Sequence, residues 1–350
     1  MVVNKDQLKD KLELLGLAVA KNNSCKQVEK MIRFESTGDT VYAYTFDGIN
    51  NIRVPIGKCN EDFYALVDYN LFSNFIKSCE NDITLEAKNK FLHIKSSNVK
   101  CKLPTYNHEV DRKQTGIPNP VSNYDYDKTF TEPIDLNLIK SILDPTNIIE
   151  TYRLIYFGDN IMVTDTDNVI KIEKRVFDED VLLHLSSIYI LNKATNCNYS
   201  FASFKNNAHK LLCIKSDEFY ATSIVGTNEN NDFQYSDLLV LFTDISGKKV
   251  TVDTAILAKA INASSMFKIN PVIIFNNKGI FVQIDAIEFI YKISSENCDD
   301  RTFELSQNLV KKIISLGKEV SIYYTNKDLI KCEVDGVSEI LSVNEVIKGD

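Results

Sequence analysis

The chain has no apolar run long enough to cross a bilayer; its longest, such as LLVLF at 238–242, are of strand length. A membrane helix needs roughly 20 such residues, and the opening MVVNKDQLKDK lacks the apolar core of a secretion signal. No membrane partner is expected, and a cytoplasmic setting is the simplest expectation. Glycine is scarce where a phosphate cradle would need it, and there is no P-loop, GxGxxG, GxSxG or HExxH. The histidines, His93, His108, His184 and His209, are dispersed, and the cysteines, at 25, 59, 79, 101, 197, 213, 298 and 332, include no CxxC pair. Most of these thiols fall in predicted strands or helices, where cysteine behaves as a small apolar residue. Reduced core thiols are therefore expected, rather than zinc or disulfides. Two Asp-x-Asp pairs, Asp125 with Asp127 and Asp165 with Asp167, have no histidine nearby and read as solvated carboxylates. These absences point away from an enzyme, a cofactor and a metal.

What is present is a soluble globular composition: 44% hydrophobic residues in 350, enough for two or three domains with proper cores. Forty basic against 48 acidic residues leave a net charge of −8. That argues against a general nucleic-acid coat, yet leaves room for a basic surface confined to one face.

The pattern is organised around Phe63 to Thr105. Leu71, Phe72, Phe75, Ile76 and Cys79 recur at helical spacing, and then DITLEAK, FLHIKSS and VKCKLPT alternate with a period of two. Asn89-Lys90 and Ser97-Asn98 supply the breaks of an antiparallel meander. Six such helix-then-strands units can be placed, with helices near Asp6 to Ala20, Asn70 to Glu80, Leu136 to Leu143, Glu179 to Lys193, Asp253 to Ser264 and Glu304 to Leu316. Paired, they make an α+β chain of three similar domains, 1–115, 116–240 and 241–350, each with helices on one face and sheets on the other. The polar stretch NHEVDRKQTGIPNPVSNYDYDK reads as a linker or surface excursion.

Charge is distributed unevenly over the predicted helices. Opposite their apolar stripes stand Asn74 and Lys77; Asn137, Lys140 and Ser141; His184, Ser187 and Lys193; Lys259 and Asn262; and Gln307, Lys311, Ser315 and Lys318. Past the first turns these faces hold essentially no carboxylates, whereas a solvated helix in an acidic protein should mix both signs. The first helix departs from this, with Asp6, Asp10 and Glu13 outward and only Lys9 and Lys21 usable. A shared surface facing a polyanion is expected, built from Lys21, Asn74, Lys77, Lys140, Lys193, Lys259, Lys311 and Lys318. No aromatic row interleaves them, which favours duplex over single strand.

The stretch ALVDYNLFSNFIKSCENDITLEAKNKFLHIKSSNVKCKLPTY resembles the second helix, strands and lysine-rich closing strand of the bacterial-type DNA polymerase sliding clamp, the beta-subunit processivity factor, including phage-encoded forms. AYTFDGINNIRV and its counterpart VTDTDNVIKI resemble that family's Thr-x-Asp turn, and IDLNLIKSIL and VTVDTAILAKAI its domain starts. The resemblance implies the DNA-clamp fold in three domains, a head-to-tail homodimer ring around double-stranded DNA, and no catalysis. It also implies short peptide motifs of a DNA polymerase and a clamp loader as partners, docked in an apolar cleft. By position the cleft would draw on Tyr152, Leu154, Val169, Ile170, Leu239, Val240, Ile340 and Leu341. The sequence departs from the family at Asp167-Asn168-Val169, where a Gly-His-Arg turn is the rule, and in its polar ending VNEVIKGD. The competing expectation is a repeat scaffold that binds peptides without forming a ring.

Overall fold

The computed structural model describes residues 1–350 apart from 22–25, 98, 107–124, 144–152, 166–167, 195, 204–209, 227–234, 244–247, 268, 270, 297, 305–309, 312, 315–316, 325–329, 335–337 and 343–350. Its α-helices are α1 (Lys5–Leu15), α2 (Tyr69–Ser78), α3 (Ile139–Ile142), α4 (Leu185–Lys193), α5 (Tyr235–Thr243) and α6 (Thr254–Ser265). Three of them start on side-chain caps that satisfy otherwise orphaned amides. The Asn4 carboxamide oxygen accepts from the amides of Asp6 and Gln7, Asp68 accepts from Leu71 at 2.8 Å, and Asp253 accepts from Ala255 at 2.6 Å. The apolar stripes then bury as their spacing requires: Leu8, Leu12 and Leu15 on α1, Phe72 and Ile76 on α2.

Two expectations about helices change. The helix expected from Glu179 begins only at Leu185, because Val181–His184 is a strand. Val181, Leu182 and Leu183 are all buried, and a continuous apolar run carries no period to separate helix from strand. LLVLF, a run of strand length, lies within α5, a helix that none of the six expected ones covers. Of the helix expected over Glu304 to Leu316, residues 310–311 and 313–314 are helical and most of the remainder lies outside the described residues.

The chain divides into two compact units, residues 1–134 with 183–226 and residues 135–182 with 227–350. The first unit holds an eight-stranded antiparallel sheet in the order Tyr64–Asp68, Met31–Thr37, Thr40–Phe46, Asn50–Lys58, Tyr220–Val225, Lys210–Lys215, Cys197–Ser203, Lys128–Phe130. It also holds a four-stranded sheet, Val2–Val3, Ile83–Lys88, Phe91–Lys95, Lys100–Pro104. The expected break at Asn89-Lys90 is a tight turn with φ of +52° and +65°, the left-handed pair that a two-residue hairpin needs. Strand alternation sorts the side chains. Ile32 and Phe34 are fully buried, with the Phe34 ring edge-on to Phe72 of α2 at 5.0 Å, while Arg33 points to the other face, over the Tyr44 ring at 4.5 Å.

The second unit repeats this plan. Its larger sheet runs Val181–His184, Leu154–Phe157, Ile161–Thr164, Asn168–Ile172, Ser338–Ser342, Ile330–Val334, Glu319–Tyr324, Lys248–Asp253. Its smaller sheet runs Phe289–Ser294, Gly279–Ile284, Val272–Asn276, Arg301–Glu304.

In both large sheets a strand beginning with asparagine joins residues distant in sequence. In the first unit Asp47 accepts from the amides of Ile49 and Asn50, and the Asn50 side chain donates to Asp47 and to Ser186. The Asn50 carboxamide oxygen accepts from Ser187 at 2.8 Å and Ser223 at 2.7 Å. Ser187, expected on the outer face of its helix, is instead fully buried in this network. In the second unit Asp165 and Asn168 repeat the turn, with the Asn168 side chain donating to both Asp165 oxygens at 3.2 Å and its strand pairing with Ser338–Ser342.

Seven cysteines are free thiols, and Cys25 lies outside the described residues.

Replacing Asn50 with alanine should leave the buried Ser187 and Ser223 hydroxyls without this acceptor and remove one side-chain donor from Asp47, which keeps its two backbone amides. An expected loss of about 2–4 kcal/mol in urea-induced unfolding checks the role of this junction.

Candidate nucleic-acid interface and partner cleft

Several of the residues expected to line a cleft gather in the second unit, where strand alternation builds a buried apolar cluster. Leu154, Met162 and Val169, from three adjacent strands, point to one face together with Leu182 and form a floor. Onto that floor α5 lays Tyr235, Leu238 and Phe242, and Tyr156 and the half-buried Leu239 pack at its margin. The Tyr156 and Tyr235 rings stack at 5.0 Å and 11°. The Tyr156 hydroxyl donates to Asp180 at 2.7 Å, and Arg175 bridges Asp159 and Asp180. Burial first, and then the Asp180 carboxylate, push the Tyr156 phenol up to about 12. It therefore stays a neutral donor, and this edge is a fixed polar rim. Lys171, held to Glu173 at 3.3 Å, lies 5.5 Å from the Phe242 ring.

Of the expected cleft residues, the fold brings Leu154, Val169 and Leu239 together. Leu341 is paired with Val169, and Ile340 with Ile170. Ile170 is fully buried and alternates with Val169, so it faces the opposite side of the sheet. Val240 stands 58% exposed on the outer side of α5, and Tyr152 lies outside the described residues. The cluster residues not expected by position are Tyr156, Met162, Leu182, Tyr235, Leu238 and Phe242. Tyr235, Leu238 and Phe242 are spaced i, i+3, i+7, a helical period whose last two members are masked by the apolar run LLVLF.

The expected polyanion-facing residues Lys21, Asn74, Lys77, Lys140, Lys193, Lys259, Lys311 and Lys318 are all exposed. In the first unit α1 and α2 pack side by side, and Lys9, Glu13 and Lys77 border one hollow. Lys77 donates to Asn74 at 3.4 Å. Lys193 has a different setting: it lines a cavity of about 580 Å³ whose wall includes Asp10, Glu13, Asp217 and Glu218. Its own helix face is free of carboxylates, but neighbouring elements supply four. Lys193 is thus the least suited of these lysines to meet an anion.

A nine-residue grid on the outer face of the small sheet of the first unit was not anticipated. It comprises Thr84, Glu86 and Lys88, Lys95, His93 and Phe91, and Lys100, Lys102 and Pro104, aligned by register. Four lysines and one carboxylate make this face basic in an acidic chain.

No family model matches the sequence, and no curated protein does. Solved structures match over the full length. The architecture is the DNA-clamp fold of bacterial DNA polymerase III beta subunits, as expected. The chain is similar to the Helicobacter pylori beta clamp bound to a DNA ligase peptide, with a TM-score of 0.74, 14% identity and 99% of each chain covered. It is also similar to a putative DNA polymerase III beta subunit of Eubacterium rectale, with a TM-score of 0.78, 13% identity and coverage of 99% of this chain and 98% of that one. The Pseudomonas aeruginosa DNA polymerase sliding clamp gives 0.76 at 11% identity over 99% of both chains.

Phe242→Ala should release α5 from its floor at a cost of about 3–5 kcal/mol. Faster hydrogen exchange confined to Tyr235–Thr243 and the strands beneath checks that the helix is held by this contact.

Proposed function

We propose that this chain is a non-catalytic sliding clamp: two copies close head to tail around duplex DNA and tether a DNA polymerase through short peptide motifs. The observation that carries the reading is the clamp architecture along the whole chain, together with an apolar cluster on the second unit whose margin holds the partly buried Tyr156 and Leu239. The fold supports three domains, 1–115, 116–240 and 241–350. The repeated Asp47/Asn50 and Asp165/Asn168 turns, each starting a strand that joins its neighbour's sheet, mark the joints between them.

Duplex held by encirclement needs no base readout and little charge, since contacts to phosphate position without specifying sequence. Lys77, Lys140, Lys259, Lys311 and Lys318 supply such contacts, and binding should weaken with salt as counterions are no longer released. Peptide motifs of the polymerase and of a clamp loader would enter the cleft over Leu154, Val169 and Leu239; that the similar Helicobacter pylori clamp is bound to a DNA ligase peptide supports a peptide partner.

The joint between copies is supported by complementary surfaces. The edge strand Lys100–Pro104 of the first unit carries Lys100 and Lys102 beside Lys95. The second unit ends its small sheet in open edges, with exposed Glu288, Glu296, Asp299 and Asp300, and shows Met266 at 74% exposure beside Phe267 and Ile269. Exposed apolar residues ringed by charge mark interaction sites, and opposite potentials fix their register. A heterologous contact of this kind closes into a ring when the rotation permits.

Retention on circular against linearised duplex tests encirclement. Stable retention on the closed circle alone is expected, and equal loss from both, with a monomer mass in solution, would favour the non-ring scaffold. Lys311→Glu with Lys318→Glu should weaken retention without changing the melting temperature. Lys100→Glu with Lys102→Glu should weaken self-association at least tenfold by sedimentation, and Asp299→Lys with Asp300→Lys in the same chain should restore it.

A further inference from the structure

The face that forms the cleft floor continues beyond it. Register carries Val169 to Leu341, Leu341 to Lys331, Lys331 to Tyr323 and Tyr323 to Lys249, one row crossing five strands of the second unit. Side chains at paired positions share a face. Lys331 lies 5.1 Å and Lys249 5.4 Å from the Tyr323 ring, so the ring sits between two ammonium groups. Lys249 is exposed, and Tyr323 and Lys331 are half-buried. The Tyr323 hydroxyl donates to Glu333 at 2.9 Å, which orients the ring. The one adjacent row that is described carries acid at Glu333, between Lys171 and Ser321 in the sheet, so the two rows differ in charge.

The first unit supplies an internal comparison. Counted from its own Asp-turn asparagine, the same row reads Asn51, Thr222, Cys213 and Ser200, with neither an apolar start nor a cation. The repeated sheet therefore does not require this line, and it occurs where the cleft occurs.

We propose that a partner peptide anchored in the cleft continues across this row and carries acidic residues that meet Lys331 and Lys249, so that the row selects partners whose apolar anchor is flanked by acid. The inference rests on the cleft being a peptide site. Strands lie about 4.8 Å apart and an extended peptide advances about 3.3 Å per residue. One acid is thus placed about three residues past the group seated at Val169, two strands away, and a second about three residues further on. Tyr323, with its fixed hydroxyl, gives the intervening backbone a flat surface to cross. The pull of the Tyr323 hydroxyl, with Glu333 beyond it, raises the Lys249 pKa and keeps it charged at neutral pH.

The test uses the full-length chain and two fluorescein-labelled peptides, each with a Leu-Leu-Phe anchor followed by a glycine-spaced tail bearing either two glutamates or two glutamines. At low salt the glutamate peptide should bind about three- to tenfold tighter, the range for two exposed ion pairs. Lys249→Ala with Lys331→Ala should erase that difference while leaving the glutamine peptide's affinity unchanged. Leu239→Asp should abolish binding of both. Equal affinity of the two peptides for the native chain, or a difference that survives in the double-lysine variant, overturns the proposal while the cleft stands. Failure of either peptide to bind the native chain overturns the cleft reading and this inference with it.

Discussion

The constraint on which this molecule depends is that antiparallel pairing does not stop where a module's own strands run out. The strand Asn50–Lys58 pairs with Tyr220–Val225, and Asn168–Ile172 with Ser338–Ser342, partners far along the chain. Each pairing satisfies backbone donors and acceptors that would otherwise sit on an open edge, and each is pinned at its start by an aspartate-asparagine turn. At Asn50 the side chain is bonded through both its donor and its acceptor. A polar group so fully satisfied in the interior specifies a unique register, because any slip strands several partners at once.

From that constraint the cleft follows. Once Asn168–Ile172 is fixed against Ser338–Ser342, period-two alternation assigns Val169 to the face under α5 and Ile170 to the other. The same alternation extends the Val169 row to Lys331, Tyr323 and Lys249. The apolar cluster under α5 and the sheet pairing therefore share one register, so the polar turn and the apolar floor are not independent features. The half of the molecule built on Asn50 uses the same sheet plan without this row, so the fold does not require it.

Charge follows a similar logic. A net of −8 is compatible with exposed lysines on several helices and a basic outer grid on one small sheet, because strands and helices sort side chains by face rather than by average. The exception is instructive. Lys193 looked suited to an anion when only its own helix was considered, and its neighbours Asp10, Glu13, Asp217 and Glu218 come from α1 and a hairpin turn that no single-helix reading includes.

The sequence by itself determined the local structure wherever a period was clean: the stripes of α1, α2 and α6, the alternating strands from Ile83 to Pro104, and the left-handed turn at Asn89-Lys90. It also carried the resemblance from which the clamp architecture was expected, through helix starts and two similar turns. Where apolar residues ran without interruption, at Val181–Leu183 and in LLVLF, it could not separate helix from strand, since a run of one residue class carries no period. Only the tertiary structure decided which residues meet: that Ser187 is buried against Asn50, that Ile170 turns away from the cleft while Leu239 joins it, and that Lys331, Tyr323 and Lys249 form one line. The physical reason is that strand pairing is non-local, so a face shared by five strands is written at five separate places in the chain and exists only once they are in register.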